Sequence, residues 1–164
     1  MYFKYGEKEL NYLKKKDKKL ATVIDKVGVV ERKLEPDIFV CIVKNIVGQQ
    51  ISTKAHQTIW QRINNSFSPI TPANFKSLSA EELQKCGITM KKAHYIKEIT
   101  RRIISDQLDL ERLADLSNEE VIEQLCELPG IGRWTAEMIL TFSLQRKDII
   151  SYSDLAILRG MRMV

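Results

Sequence analysis

The sequence feature most suggestive of chemistry is a short turn between two apolar segments, Leu128-Pro129-Gly130-Ile131-Gly132. Two glycines within three positions favour a tight turn with backbone angles that other residues avoid. Such a turn leaves backbone N–H groups unpaired at the start of the next helix. These groups and the positive end of the helix dipole suit a phosphate. Ile131 is expected to point inward and hold the turn against the core. The pattern also fits a purely structural corner between two helices.

Metal and disulfide chemistry have little support in the sequence. Cys41, Cys86 and Cys126 are far apart and form no CxxC pair, so a disulfide framework or zinc knuckle is not indicated. His56 and His94 lie in different segments, each without a second ligand at helical spacing. We therefore expect no metal held by side chains, and we interpret the cysteines as small buried hydrophobic residues.

Charge is segregated along the chain, whose net charge is +5. Residues 85–105 contain six basic side chains and one acidic one, whereas residues 106–128 contain one basic and eight acidic side chains. An N-terminal cluster comprises Lys14, Lys15, Lys16, Lys18 and Lys19. A second cluster, on one short predicted helix, comprises Lys91, Lys92, Lys97, Arg101 and Arg102. Both could contact a polyanion, but such runs are more often solvated helix faces, and both interpretations stay open.

The elements that must position these residues are predicted to be helical throughout. Apolar spacing predicts one helix from Leu10 to Val27 and a second that begins at Pro36. Ser52 is a predicted N-cap, and serine followed three residues later by glutamate at 79–82 and 117–120 predicts two capping boxes. Residues 64–73 are predicted to form a loop. No alternating segment is long enough to indicate a sheet, so the fold class is all-α.

The length of 164 residues fits one domain with a core that needs no disulfides, and we expect a single helical domain over residues 1–164. The longest uninterrupted run of aliphatic and aromatic residues, Ile38 to Val43, is far too short to span a membrane. The charged N-terminus lacks the apolar region of a signal peptide. We therefore expect no association with a membrane.

Four segments, in order, resemble the helix-hairpin-helix DNA glycosylase superfamily, and most closely its 3-methyladenine DNA glycosylase II branch. The likeness covers about residues 36 to 164, and the helix-hairpin-helix would occupy about residues 117–146. The matching segments are Ile46-Val47-Gly48-Gln49-Gln50-Ile51-Ser52, Lys92-Ala93-His94-Tyr95-Ile96, Leu128 to Ala136, and Ser153-Asp154-Leu155 with Leu158-Arg159-Gly160. Four ordered matches are more specific than any single motif.

The resemblance implies a monofunctional glycosylase that flips a damaged base out of the duplex and hydrolyses its N-glycosidic bond. Asp154 matches the superfamily's essential aspartate, whose carboxylate would stabilise positive charge on the sugar; the same position suits a helix N-cap. Relatives that also cleave the strand carry a lysine where this chain has Trp134, whose aromatic face would hold a cationic alkylated base. Met138 stands where the bacterial enzyme's pocket has an aromatic residue.

The same resemblance implies a set of DNA contacts: Gln49, Gln50, Ser52, Gly130, Ile131, Gly132, Arg133 and Thr135. Gln50 would fill the gap left by the flipped base, although glutamine is a poorer wedge than leucine. The expected partner is double-stranded DNA that contains damaged bases, bound by a monomer in a bacterial-type cytoplasm. No cofactor is expected beyond a possible monovalent cation at the backbone of Leu128 and Gly130.

Two other functions remain open from the sequence. One is a bifunctional glycosylase/lyase that uses a lysine from elsewhere, such as Lys147. The other is a non-catalytic DNA-binding module in which Asp154 only caps a helix. The N-terminal β-domain of some bacterial members has no counterpart, and the sequence ends ten residues after Asp154. We therefore expect a C-terminal lobe that is truncated relative to the family.

Overall fold

A computed structural model describes residues 1–163, which form ten α-helices and one 3₁₀ turn. The helices are α1 (Glu7–Lys16), α2 (Lys18–Val27), α3 (Ile38–Gly48), α4 (Thr53–Phe67), α5 (Pro72–Ser77), α6 (Ala80–Lys85), α7 (Met90–Ile104), α8 (Asn118–Cys126), α9 (Arg133–Phe142) and α10 (Leu155–Met163), and the 3₁₀ turn is Arg112–Asp115. The β-pairing within this range is an isolated antiparallel bridge between Tyr2 and Lys33. The all-α prediction is confirmed. None of the helices described is long and apolar enough to cross a bilayer.

The predicted helix starts are confirmed where a side chain caps the backbone. Ser52 Oγ accepts the N–H of Ala55 at 3.2 Å and begins α4. Both capping boxes form: in α6 the hydroxyl of Ser79 accepts from Glu82 N–H while the Glu82 carboxylate accepts from Ser79 N–H, and α8 starts in the same way at Ser117. Each cap of this kind stabilises its helix by about 0.5–2 kcal/mol.

The single helix predicted from Leu10 to Val27 is wrong, because the chain turns at Asp17. Asp17 adopts an extended backbone with φ −141° and ψ 116°, and its carboxylate accepts the N–H groups of Lys19 and Leu20. These bonds begin α2 and end α1. Apolar spacing continues across the break, so periodicity alone could not find it.

Two other boundaries differ from the sequence prediction. The helix expected to begin at Pro36 begins two residues later, after Asp37, which accepts the N–H of Val40 at 3.0 Å. The loop predicted over residues 64–73 is shorter, because α4 continues to Phe67 despite its polar asparagines.

The core is organised around α3. This helix packs against α4, α7 and α9, while α5 and α6 lie against α7, and α8 packs on α9. The buried side chains of α3 are Phe39, Cys41, Ile42, Val43, Ile46 and Val47. Burial of each large aliphatic or aromatic side chain contributes about 1.5–3 kcal/mol. Because α3 is buried and contacts α9, its C-terminal end is fixed beside the turn that precedes α9.

Candidate active site

Asp154 is held by three hydrogen bonds at the start of α10. Its Oδ1 accepts the backbone N–H groups of Ala156 at 2.8 Å and Ile157 at 3.2 Å, so the predicted N-cap forms. Its Oδ2 accepts the indole N–H of Trp134 at 2.9 Å. The Trp134 bond is the largest cause that lowers the pKa of Asp154, followed by the bond from Ile157. The carboxylate is therefore ionised at neutral pH and fixed in orientation.

Trp134 connects this carboxylate to a neighbouring cavity. Its side chain is 41% exposed and lies along a cavity of about 740 Å³, which Met138 and Gln50 also line. A cavity of this size can enclose a nucleobase. Asp154 does not itself line the cavity, and its carboxylate is joined to the cavity wall through the Trp134 indole.

Sequence reasoning missed much of the cavity wall. Besides the predicted residues Gln49, Gln50, Trp134 and Met138, it is lined by Glu31, Arg32, Lys33, Glu35, Cys41, Lys44, Asn45, Gly48, His56 and Phe142. Residues 31–35 reach the cavity because the N–H of Glu35 donates to the carbonyl of Phe142 at 3.0 Å, at the end of α9. No local pattern signals this pairing, which joins positions far apart in the chain.

One wall of the cavity carries an ion pair. The ammonium of Lys44 lies 3.6 Å from Oε2 of Glu35 and 5.7 Å from the centre of the Trp60 ring. Both charged side chains are partly exposed. The cavity therefore contains charges of both signs at its rim, and an aromatic and thioether surface at Trp134 and Met138.

The turn before α9 is built as the glycine pattern predicts. Gly130 has φ +79°, and a Cβ at this position would lie 2.6 Å from Cε2 of Tyr95. Ile131 is buried, so its side chain points inward as expected. Gly132 provides no side-chain cap for α9. The backbone N–H groups of the first turn of α9 therefore have no intrahelical acceptor and can bind an anion.

Arg133 and Thr135 differ in what they can offer to DNA. The Nε of Arg133 donates to Oε1 of the buried Glu137 at 3.0 Å, but the Arg133 side chain remains 66% exposed, which leaves its terminal N–H groups available. Thr135 is 4% exposed and Ile131 is 5% exposed. The predicted DNA contacts of these last two residues are therefore restricted to their backbone.

The three predicted residues at the C-terminal end of α3 have separate environments. Gln49 Nε2 donates to the carbonyl of Gly130 at 2.7 Å and ties α3 to the turn. Gln50 is exposed, with φ +55°. Ser52 is exposed, and its oxygen caps α4. Gln49 is thus occupied inside the protein, whereas the Gln50 side chain projects from the rim of the cavity.

The carbonyls of Leu128 and Gly130, where a monovalent cation is predicted, each accept one hydrogen bond. The Leu128 oxygen accepts the N–H of Ile131 at 3.1 Å, and the Gly130 oxygen accepts Gln49 Nε2 at 2.7 Å. A carbonyl oxygen has two lone pairs, so an ion on both oxygens would share them with these donors, and the cation stays a prediction. Within residues 1–163, no group of three or more His, Cys, Asp and Glu side chains could hold a metal.

The basic cluster on α7 is largely engaged with the protein itself. Lys92 Nζ donates to the carbonyls of Val47 at 2.9 Å and Gln49 at 2.6 Å, at the C-terminal end of α3. Lys97 Nζ binds two carbonyls of α5, those of Phe75 and Lys76, at 2.9 Å each. Both lysines thus neutralise the negative ends of helices.

The arginines of this cluster are also paired. Arg101 and Arg102 both bind Glu98, at 2.8 and 3.0 Å, and these bonds lower the pKa of Glu98 to about 2. Lys91 is exposed, and its ammonium lies 5.8 Å from the centre of the Tyr95 ring. The structure therefore favours Lys91 as the member of this cluster best placed to reach a polyanion.

The helices on either side of the Gly130 turn define a helix-hairpin-helix protein, with the carboxylate of Asp154 bonded to Trp134 in the cavity wall. The chain belongs to the HhH-GPD superfamily of base excision DNA repair proteins, whose family model matches residues 43–164. The resemblance seen in the sequence is thereby confirmed.

Its relatives include alkylation-repair enzymes. It is 37% identical over 125 residues to DNA-3-methyladenine glycosylase 1 of Schizosaccharomyces pombe, covering 74% of this chain and 55% of that protein. It resembles the crystal structure of a Bacillus halodurans DNA-3-methyladenine glycosidase with a TM-score of 0.84 at 32% identity, covering 99% of this chain and 76% of that one. It also resembles a Schizosaccharomyces pombe 3-methyladenine DNA glycosylase in complex with abasic DNA, with a TM-score of 0.80 at 31% identity and coverage of 89% and 74%. The chain spans about half the length of the curated relatives it matches.

Proposed function

We propose that this chain is a monofunctional DNA glycosylase that releases alkylated bases of the 3-methyladenine type from double-stranded DNA. The observation that carries the proposal is the Asp154 carboxylate, held 2.9 Å from the indole nitrogen of Trp134 at the edge of the cavity. The names of the relatives, which are 3-methyladenine glycosylases, support this substrate class.

Asp154 acts as a fixed negative charge. Breaking the N-glycosidic bond sends its electron pair to the base and builds positive charge on the deoxyribose, which a nearby carboxylate stabilises. The bonds from Trp134 and Ile157 lower the pKa of Asp154, so its charge persists but its basicity is reduced. Asp154 therefore stabilises the sugar cation and orients the water, whose hydroxyl joins C1′ as its proton passes to solvent.

Trp134 holds the departing base. Its N–H is committed to Asp154, which fixes the orientation of the ring. A cationic base over an indole face gains about 0.5–2 kcal/mol. An alkylated base that carries positive charge leaves as a neutral molecule, so the site needs no general acid. Met138 beside the indole adds an adaptable apolar surface.

The turn before α9, which is the hairpin of the helix-hairpin-helix, and Gln50 would hold the duplex while the damaged base is flipped out. The free N–H groups at the start of α9 and the exposed guanidinium of Arg133 suit backbone phosphates, which fix position without reading sequence. Gln50 projects from the cavity rim and can occupy the space that the base leaves. Unstacking costs a few kcal/mol and costs least for damaged pairs, which favours lesions.

Strand cleavage would need an amine that attacks C1′, and the predicted lyase position holds Trp134 instead. Two lysines that were not predicted from the sequence, Lys33 and Lys44, line the cavity. Lys44 is paired with Glu35. We expect neither to form a Schiff base, so borohydride should trap no covalent complex with abasic DNA. Trapping that is lost in Lys33→Met or Lys44→Met would establish the bifunctional alternative.

Asp154→Asn tests the catalytic role against simple helix capping. Asparagine is as good an N-cap as aspartate, so stability should change little while base release from methylated DNA falls about 10²–10³-fold or more, with DNA binding retained. Asp17→Asn is a matched control, because Asp17 also caps a helix through two N–H groups but lies outside the site. Base release unchanged in Asp154→Asn would leave Asp154 with its capping role alone, whereas no release from either form would favour a DNA-binding module.

A further inference from the structure

Asn45 places a neutral polar group in the cavity wall. It lies on α3, one turn before Gln49, and lines the same cavity as Trp134. The neighbouring polar residues of the wall, Glu35 and Lys44, are charged and paired with each other. Asn45 is therefore a group in the cavity that can discriminate between bases by hydrogen bonding alone.

The orientation of the Asn45 amide is fixed by its own helix. Its Nδ2 donates to the backbone carbonyl of Cys41 at 2.8 Å and contacts Cys41 Sγ at 3.4 Å. A carbonyl can only accept, so the amide nitrogen must face Cys41, and the oxygen must face away from it. Among the described residues, no donor bonds to this Oδ1, which keeps solvent-accessible surface. Because Asn45 lines the cavity, its Oδ1 is available there as a hydrogen-bond acceptor.

We propose that Asn45 selects flipped bases that carry an exocyclic amino group, by accepting a hydrogen bond from that group on Oδ1. The inference rests on the proposed function and assigns a specificity to the same site. A base with an amino group satisfies the amide oxygen, whereas a base without one removes the oxygen's water and leaves it unpaired. The unpaired acceptor costs enough to change binding by about tenfold or more.

The test uses two cationic lesions that differ in one group. 7-Methylguanine and 7-methylhypoxanthine are both methylated at N7, and only 7-methylguanine has an exocyclic amine. Each is placed opposite cytosine in the same duplex, and release is measured under single-turnover conditions. Asn45→Ala should slow release of 7-methylguanine and should not slow release of 7-methylhypoxanthine, so that the ratio of the two rates falls about tenfold. Comparing variants on one substrate cancels differences in intrinsic lability.

Two further variants separate the amide's role from a packing effect. Asn64→Ala is the matched control, since Asn64 Nδ2 makes the same bond to the carbonyl four residues earlier, that of Trp60, at 2.9 Å on α4. It should alter release of neither base. Asn45→Asp retains an acceptor and should preserve the preference for 7-methylguanine, which also tests the idea if the alanine variant does not fold.

The possible results distinguish the two proposals. If the wild-type chain releases neither base, the proposed glycosylase function fails. If it releases both, and Asn45→Ala slows both equally or neither, the function stands and the selectivity assigned to Asn45 is overturned. Loss of the preference in Asn45→Asp would also overturn it, because that result would assign the selection to the amide's N–H groups.

Discussion

Alanine in place of Gly130 should destabilise the fold by an amount that two structural features set. A residue with a side chain at φ +79° costs about 1–2 kcal/mol. The added Cβ would lie 2.6 Å from Cε2 and 3.1 Å from Cγ of Tyr95, so the ring must move, which costs about 1–3 kcal/mol. Together these effects predict a decrease of about 2–5 kcal/mol in the free energy of unfolding.

Urea denaturation followed by circular dichroism measures this change, and Gly132→Ala is its internal control. Gly132 has φ −103°, and a Cβ there would meet nothing within 4 Å. Its replacement should change the free energy of unfolding by less than about 0.5 kcal/mol, since the weaker N-cap and the reduced freedom of the unfolded chain oppose each other. A bulkier residue at position 132 should instead weaken DNA binding about equally for all sequences, because the contact proposed for this turn is with backbone phosphate.

A double-mutant cycle with Tyr95→Ala separates the two contributions. Without the ring, Gly130→Ala should cost only the backbone term of about 1–2 kcal/mol. An unchanged cost in the Tyr95→Ala background would refute the proposed contact. Equal costs for Gly130→Ala and Gly132→Ala would refute the whole argument from backbone geometry.

Three further predictions concern charge. Lys92→Met should lower the free energy of unfolding by about 1.5–3 kcal/mol, because two carbonyls at the end of α3 lose a charged donor. Lys91→Met should leave stability unchanged and reduce the salt slope of DNA binding by about 0.9. If the wild type and Lys91→Met have equal salt slopes, Lys91 does not contact phosphate. Trp134→Phe removes the main donor that lowers the pKa of Asp154, so that pKa should rise and the acid limb of base release should move to higher pH. The pKa of Glu98 is lowered from 4.5 to about 2, so the contribution of Glu98 to stability is present above pH 4.5 and is lost as the pH falls towards 2. Measurements of Tm against pH should show this loss in the wild type and not in Glu98→Gln.

The parts of the fold that the sequence predicted are those that short-range chemistry decides. The caps at Ser52, Ser79 and Ser117 need only a hydroxyl and a backbone N–H a few residues away, and all three formed. The turn at Gly130 is also decided by short-range chemistry, because φ +79° is a backbone conformation that glycine adopts readily. Asp17 is the exception, since its capping role was concealed by apolar spacing that continues through it.

The parts that could not be predicted depend on contacts between distant segments. Lys92 and Lys97 looked like a footprint for a polyanion, yet their acceptors are helix ends more than twenty residues away in the sequence. Asp154 is both the N-cap of α10 and the candidate catalytic residue, so its position in the sequence could not distinguish the two roles. The bond to Trp134 shows that the carboxylate is joined to a side chain of the cavity wall.

The cavity wall formed by residues 31–35 has a consequence for how this protein can diversify. The family model matches residues 43–164, so Glu31, Arg32, Lys33 and Glu35 line the cavity from outside the matched region. They are attached to it through the backbone bond from Glu35 to Phe142, which does not depend on side-chain identity. Under the proposed function, substitutions at these four positions can therefore change which bases fit the cavity while the Gly130 turn and Asp154 stay constant. We expect a library of variants confined to Glu31, Arg32, Lys33 and Glu35, which leaves the buried Leu34 unchanged, to alter the shape and charge of the cavity without loss of the fold.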